Sequence, residues 1–480
     1  MQAPLVVAQP LQNAGFESPQ AGQDLPASWR SGSDGIGGYE EGFYLVARDT
    51  KKRRSGQASL RIERIKPGQY GTLYQTIPRE ALRGLRIRLR GYIATRQVTE
   101  GQAGMWIRMD NGPATLSMDL MMGRGPSGDT DWQPFEMDAP IPPEATAVAI
   151  GVYLMGGGTA WYDDLELDVL TEADLPATSD AATRYVNQAL DAMEQYALRR
   201  DSVDWPQLRL DTFRAAAGAQ TPADTYPALR YALGRLGDRH SHLIEPMSIA
   251  RDTAPAPETA PLGRLTRPRG ERLDDRIGYL WLPTVGMAAP AQHAAFADTL
   301  QTIIAALAAQ GVCRWVLDLR DNDGGNMWPM LAGIGPLTDA DTLGAMVNRD
   351  GSKMSWWYAD GTAGLNQIPQ LSVTPNLPKR HMPVAILQGP RTASSGEIIA
   401  VSFIGQADAR SFGAPTAGLS TGNTSFTLSD GAIMNLTTSV YADRTGRTYG
   451  GPIAPDVAVA EDATMDTARA WLLEQGACDR

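Results

Sequence analysis

Hydrophobic and polar positions follow three rhythms along the chain, and the changes of rhythm mark its organisation. From about residue 10 to 170 the period is two. Leu85, Ile87 and Leu89 alternate with Arg86, Arg88 and Arg90, which puts apolar groups on one face of a strand. Leu116, Met118 and Leu120 repeat the alternation. Val148 to Leu154, a Gly156-Gly157-Gly158 turn, then Ala160 to Leu167 predicts a hairpin. Closely spaced strands without a helical stretch predict an antiparallel β-sandwich.

Between 175 and 245 the period lengthens. Val186, Ala189, Leu190, Met193 and Ala197 follow helical spacing, and a later helix carries Leu229, Leu233 and Leu236 and stops at Gly237. Pro255, Pro257, Pro261 and Pro268 then predict an extended linker or surface loop. From 276 strand and helix alternate. Ile277 to Leu282 is a strand; Phe296, Leu300, Ile303, Ile304 and Leu307 form a helical stripe ending at Gly311; Val312 to Leu319 is a buried strand. That order is a βαβ unit with a parallel pair. Val384 to Leu387 leads into a helix near Glu397, and Phe426 to Leu428, Asp430-Gly431, Ile433 to Val440 predicts a hairpin. The predicted layout is multidomain: an all-β sandwich over 1–170, a helical subdomain over 171–250, a Pro-rich linker or loop over 251–275, an α/β core over 276–470 and a C-terminal tail over 471–480.

Composition narrows the function classes. A length of 480 residues fits roughly three domains, and 43% hydrophobic with 20% charged residues excludes a mostly disordered chain. The net charge of −11 repels nucleic acid, so no nucleic-acid partner is expected. No apolar run approaches the length of a membrane span. The opening Met-Gln-Ala-Pro-Leu-Val-Val-Ala lacks a basic n-region; an exported protein without its signal peptide is the expectation, and a cytosolic one reads the same way. Cys313 and Cys478 exclude a cysteine-built zinc site and leave open whether the two pair. Lysine is confined to Lys51, Lys52, Lys66, Lys353 and Lys379.

Three segments could carry chemistry. In Pro390-Arg391-Thr392-Ala393-Ser394-Ser395-Gly396-Glu397 a hydroxyl sits between a strand end and a helix start, beside free helical N–H groups that can bind an oxyanion. A plain helix N-cap is the competing reading. Asp318-Leu319-Arg320-Asp321-Asn322-Asp323-Gly324-Gly325-Asn326 turns on two glycines that let backbone amides face a cleft, or is an ordinary strand-to-helix turn. Leu236-Gly237-Asp238-Arg239-His240-Ser241-His242-Leu243 holds two of the four histidines, either a base near neutral pH or solvent-facing loop residues; no third metal ligand accompanies them.

Together and in this order, these segments resemble family S41 of serine peptidases, the C-terminal-processing and tricorn-like proteases. The family's Asp-Leu-Arg-x-Asn-x-Gly-Gly element is met by Asp318 to Gly325, and its Thr-Ala-Ser-x-x-Glu element by Thr392, Ala393, Ser394 and Glu397. Gly413 to Gly418, Leu428 to Gly431, Gly446-Arg447 and Pro452 to Val457 are similar to its later turns and closing Pro-Asp segment. Leu236-Gly237-Asp238-Arg239-His240-Ser241 is similar to the Leu-Gly-Asp-x-His-Thr of the tricorn-like branch. The resemblance covers about 180 to 465 and implies a crotonase- or ClpP-like α/β core with the 171–250 helices as its N-terminal subdomain. It implies Ser394 as nucleophile, His240 as general base with His242 as competitor, and an oxyanion hole from Ser395 with Gly324 or Gly325.

One S41 group uses a lysine base downstream of the serine; that place holds Leu419, and no lysine follows Lys379. The stretch between Leu243 and Ile277 is too short for a PDZ insertion, which also favours the tricorn-like branch. That branch carries a glutamate near the closing segment where this chain has Tyr449, so Asp238, Glu397 or Tyr449 are the candidates to support the imidazole. The implied substrate is a peptide or protein, with no metal or organic cofactor. The first 170 residues, from Asn13-Ala14-Gly15-Phe16-Glu17 to Trp161-Tyr162-Asp163-Asp164-Leu165, loosely resemble jelly-roll modules of the carbohydrate-binding type, as a binder of carbohydrate or protein or as a spacer. The rival readings are a catalytically weak or inactive peptide- or glycan-binding protein and an esterase using the same residues.

Overall fold

A computed structural model of the chain describes residues 11–475 apart from 23, 33–40, 83–85, 113, 143–144, 254–261, 264, 375–376 and 380. Leu85, Pro255, Pro257, Pro261 and Cys478 therefore lie outside the described residues. Contacts divide the chain into two units. One takes the residues up to Gln195 with Asp201–Gly237 and Leu428–Asp430; the other takes Tyr196–Arg200, Asp238–Thr427 and Gly431 onward.

Ten strands build most of the first unit: β1 (Arg30–Ser31), β2 (Tyr44–Asp49), β3 (Ser59–Arg64), β4 (Tyr70–Pro78), β5 (Arg86–Val98), β6 (Ala103–Asn111), β7 (Ala114–Leu120), β8 (Gly128–Pro140), β9 (Ala147–Met155) and β10 (Thr159–Leu170). They form two antiparallel sheets, β1-β4-β9-β6-β7 and β2-β3-β10-β5-β8. Ile107, Ile150 and Val152 from one sheet share a buried core with Ile62, Leu89 and Leu165 from the other, which makes the unit a sandwich.

The hairpin predicted for β9 and β10 does not form: β9 pairs with β4 and β6, whereas β10 pairs with β3 and β5. Both strands offer the same inward alternation, and the shared core is filled by setting them on opposite sheets. The glycine turn, with Gly156 and Gly158 at φ 80° and 91°, carries the chain from the middle strand of one sheet to the middle strand of the other. Three helices follow, α1 (Asp180–Tyr196), α2 (Trp205–Ala215) and α3 (Tyr226–Gly234). The buried face of α1 includes Val186, Ala189, Leu190 and Met193, the stripe read from the sequence.

The second unit contains β11 (His242–Ile244), α4 (Pro246–Asp252), β12 (Arg269–Arg272), β13 (Ile277–Trp281), α5 (Pro290–Ala309), β14 (Arg314–Asp318), α6 (Met327–Ile334), β15 (Thr342–Asn348), β16 (Lys353–Ala359), β17 (Thr362–Leu365), β18 (Ile368–Ser372), β19 (Val384–Gln388), α7 (Ser395–Phe403), β20 (Ala409–Gly413), β21 (Thr421–Thr427), β22 (Ile433–Asp443), β23 (Val457–Ala458) and α8 (Thr464–Glu474). One sheet runs β12-β13-β14-β19-β20-β23 and is parallel except for the edge strand β12. The other runs β11-β22-β15-β16-β17-β18, antiparallel, with β21 also paired to β22 as the Asp430-Gly431 signal predicts.

The parallel sheet is buried on both faces. Leu280, Leu317 and Ile386 meet Phe296 and Leu300 of α5 and Ile399 of α7, while Ile277, Val316 and Leu387 meet Ala468 and Leu472 of α8. That explains why its strands read as continuous apolar runs rather than alternations. Among the described residues no helix is long and apolar enough to cross a membrane.

Candidate active site

Strands β14 and β19 are parallel neighbours, so the loops after them emerge at the same sheet edge. The two loops are laced together: Thr392 Oγ1 donates to Leu319 O at 2.8 Å and Ala393 N–H to Asn322 O at 3.0 Å. Ser395 Oγ donates to Gly325 O at 2.6 Å. A Cβ on Gly396 would fall 2.5 Å from Asn322 O, so only glycine lets the backbones approach this closely.

Ser394 stands between β19 and α7 with φ 51° and ψ −119°, a conformation that costs a non-glycine residue about 1–3 kcal/mol. The carboxylate of Glu397 accepts the Ser394 N–H at 2.9 Å, and this bond with the lacing, at about 0.5–1.5 kcal/mol each for the neutral ones, offsets the strain. The result is a half-exposed hydroxyl at the mouth of a rigid turn. Glu397 itself is fully buried; Thr416 Oγ1 and the Gly418 N–H (3.1 Å) donate to its other oxygen. Burial pushes its carboxyl up to about 7, against the pull of these hydrogen bonds.

The imidazole arrives from the loop before β11. Asp238 accepts the N–H groups of His240 and Ser241, both at 2.8 Å, and Arg239 takes φ 57° to close the turn. Asn423 Nδ2 donates to His240 O at 3.2 Å. Held so, His240 Nε2 lies 2.9 Å from Ser394 Oγ, across 154 residues of sequence, and its Nδ1 lies 2.8 Å from Thr421 Oγ1. With Nδ1–H donating to Thr421, Nε2 is left to accept the serine proton. Burial, and then the neighbouring His242, hold the His240 pKa down at about 4, which Asp238 only partly opposes.

His242 does not compete for this position: it is exposed, with Nδ1 3.0 Å from His240 O and Nε2 3.1 Å from Asn435 Nδ2. Asp238 is taken up by its own turn, and the Tyr449 hydroxyl donates to Asp443 Oδ2 at 2.7 Å. Among the described residues the partner of Nδ1 is therefore a hydroxyl, from Thr421, which the sequence reading missed. Its one signal was position, two residues beyond the place of the absent lysine. Tyr441, also missed, is a buried phenol beside Ser394 and Glu397, its pKa raised by burial and then by the Glu397 carboxyl.

The glycine loop sorts its own donors. Gly324 N–H is already bonded to Asn322 Oδ1 at 3.0 Å. Gly324 O accepts from Val285 N at 3.1 Å, so in the trans peptide the Gly325 N–H points the opposite way, without a protein partner among the described residues. A Cβ on Gly324 would lie 2.7 Å from Ser394 Cβ and 3.1 Å from Ser395 N, which sets this loop directly against the serine. Ser395, first residue of α7, has no intrahelical partner for its own N–H. Among the described residues no group of three or more His, Cys, Asp or Glu side chains could hold a metal ion.

Residues 276–459 match the model of Peptidase family S41. The nisin-resistance protein of Lactococcus lactis subsp. lactis is 26% identical over 275 residues, 57% of this chain and 82% of the relative. The structure of a lipoprotein from Streptococcus agalactiae is similar at TM-score 0.53 and 26% identity, over 63% of this chain and all of that one.

Proposed function

We propose, from the match of residues 276–459 to peptidase family S41 and the geometry of the site, that this chain is a serine peptidase that cleaves peptide bonds through an acyl-enzyme. The observation that carries this reading is the 2.9 Å approach of Ser394 Oγ to His240 Nε2. Ser394 Oγ attacks the scissile carbonyl carbon while His240 Nε2 takes its proton. The N–H groups of Ser395 and Gly325 hold the oxyanion, and the imidazolium returns the proton to the leaving amine. Water then repeats the sequence in reverse on the ester. Of the two glycines, Gly325 is assigned the second donor because the amide of Gly324 is engaged.

The tricorn-like assignment rests on His240 as base and on the absence of a lysine after Lys379. The relative named for nisin resistance supports peptides as the substrate class. The sandwich contributes none of these site residues and is read as a jelly-roll-like docking module for carbohydrate or protein. Export fits Cys313, which is disulfide-bonded, because such bonds persist in oxidising compartments. A second reading, a protein that holds peptides without cutting, is favoured by Thr421 standing where a carboxylate would stabilise the imidazolium.

A fluorophosphonate probe tests the proposal: a single adduct mapped by mass spectrometry to Ser394 is expected, and a folded protein that takes up no probe overturns it in favour of the binding reading. Gly325→Ala gives a second check. At φ 98° its methyl would fall 2.0 Å from Val285 O, so the loop must move. Steady-state peptide hydrolysis should show kcat lowered about 10²–10³-fold, the loss of one oxyanion donor.

A further inference from the structure

His293 is buried on the first turn of α5, and neither the sequence motifs nor the chemistry above uses it. A buried histidine packed among apolar neighbours is ordinary; one with both nitrogens bonded to the same loop region is a different object. Its Nε2 lies 3.0 Å from Gly286 O and its Nδ1 lies 3.3 Å from Asn326 Nδ2. The orientation of the Asn326 amide is fixed independently, because its Oδ1 caps α6 by accepting Trp328 N–H at 3.0 Å. The amide must therefore present N–H to the ring. That settles the tautomer: Nδ1 accepts, and Nε2–H donates to Gly286 O.

The two residues so joined flank a short bridge. Val285 N–H donates to Gly324 O at 3.1 Å, and Asn326 N–H donates to Val285 O at 2.6 Å. Gly325 lies between those two bonds with its Cα against Val285 O. Sliding this bridge rotates the 324–325 peptide and with it the N–H assigned to the oxyanion. Gly286 is the residue after one side of the bridge, Asn326 the residue after the other, and His293 ties them across it.

We propose that His293 is a positioning residue for the oxyanion loop: its ring clamps Gly286 to Asn326 and so fixes the aim of the Gly325 N–H. The inference rests on the peptidase reading. It is tested with His293→Phe, which keeps the ring and loses both bonds. His293→Asn serves beside it, placing an acceptor near the position of Nδ1.

His293→Phe should lower kcat on a peptide substrate by about 10–10²-fold, the cost of a displacement on the scale of an ångström. KM should stay within about twofold, and the affinity for a peptide aldehyde, whose adduct carries the oxyanion, should fall by the same factor as kcat. His293→Asn should recover part of the loss. Hydrogen exchange of the segment 319–330 should quicken in the folded His293→Phe protein while the other segments of α5 keep their rates. An unchanged kcat with unchanged exchange overturns the clamp. So does a fall in melting temperature in which substrate and aldehyde affinities change together, since that describes packing alone. If His293→Phe does not fold, His293→Leu, which also loses both bonds, carries the same comparison against wild type, and equal kcat with unequal melting temperature overturns the clamp. Wild type that fails to take up fluorophosphonate condemns the peptidase reading instead, and the exchange measurement still decides whether the ring holds the loop.

Discussion

Ser394→Ala is expected to abolish fluorophosphonate labelling and to lower peptide hydrolysis by about 10⁴–10⁶-fold, the range over which a nucleophile acting with its base as a unit is lost. The adjacent hydroxyl offers no substitute, because Ser395 Oγ donates to Gly325 O at 2.6 Å. Alanine at this position meets the same positive φ as serine, and the lacing between the two loops does not pass through Oγ, so the variant should melt within a few degrees of wild type. Probe uptake and turnover measured on that folded variant make the check. Uptake equal to wild type would place the reactive group elsewhere.

His240→Ala is expected to lower kcat/KM by about 10²–10⁴-fold, the contribution of a positioned base. The pH dependence is the sharper expectation. Only the neutral imidazole accepts the serine proton, and its pKa is held down at about 4 rather than the ordinary 6.5. The acid limb of kcat/KM should therefore fall near pH 4. The same depression means that the unfolded chain binds the proton more tightly. The stability His240 contributes is present above pH 6.5 and is lost as pH falls through 4. Thr421→Asp sets a carboxylate at Nδ1 in place of a hydroxyl and should move the acid limb up. A limb unmoved by Thr421→Asp, in a folded variant, would remove Thr421 from the imidazole's support.

The placement of Ser394 and the glycine loop was legible in the sequence because each lies where a strand gives way to a helix. The βαβ order was legible for the same reason: Phe296 to Leu307 and Val312 to Leu319 declare their periods locally. The hairpin of β9 and β10 was misread because alternation says which residues face inward, not which sheet the strand joins. Thr421 was illegible because its importance lies in one contact made across 181 residues. Tyr449 drew attention by its place in a motif, yet its hydroxyl is bonded to Asp443, six positions away, and counting positions cannot foresee such a local alternative.

The strand β11 that follows His240 is seated on β22, through His242 to Asn435 and Ile244 to Ile433. Ser241 Oγ likewise accepts the N–H of Thr437 at 3.0 Å. The His240 half of the pair thus has no seat until β22, which ends 49 residues beyond Ser394, has been made. On the peptidase reading, a fragment that ends before β22 is expected to lack hydrolytic activity, because the loop that carries His240 has lost the strand that seats it.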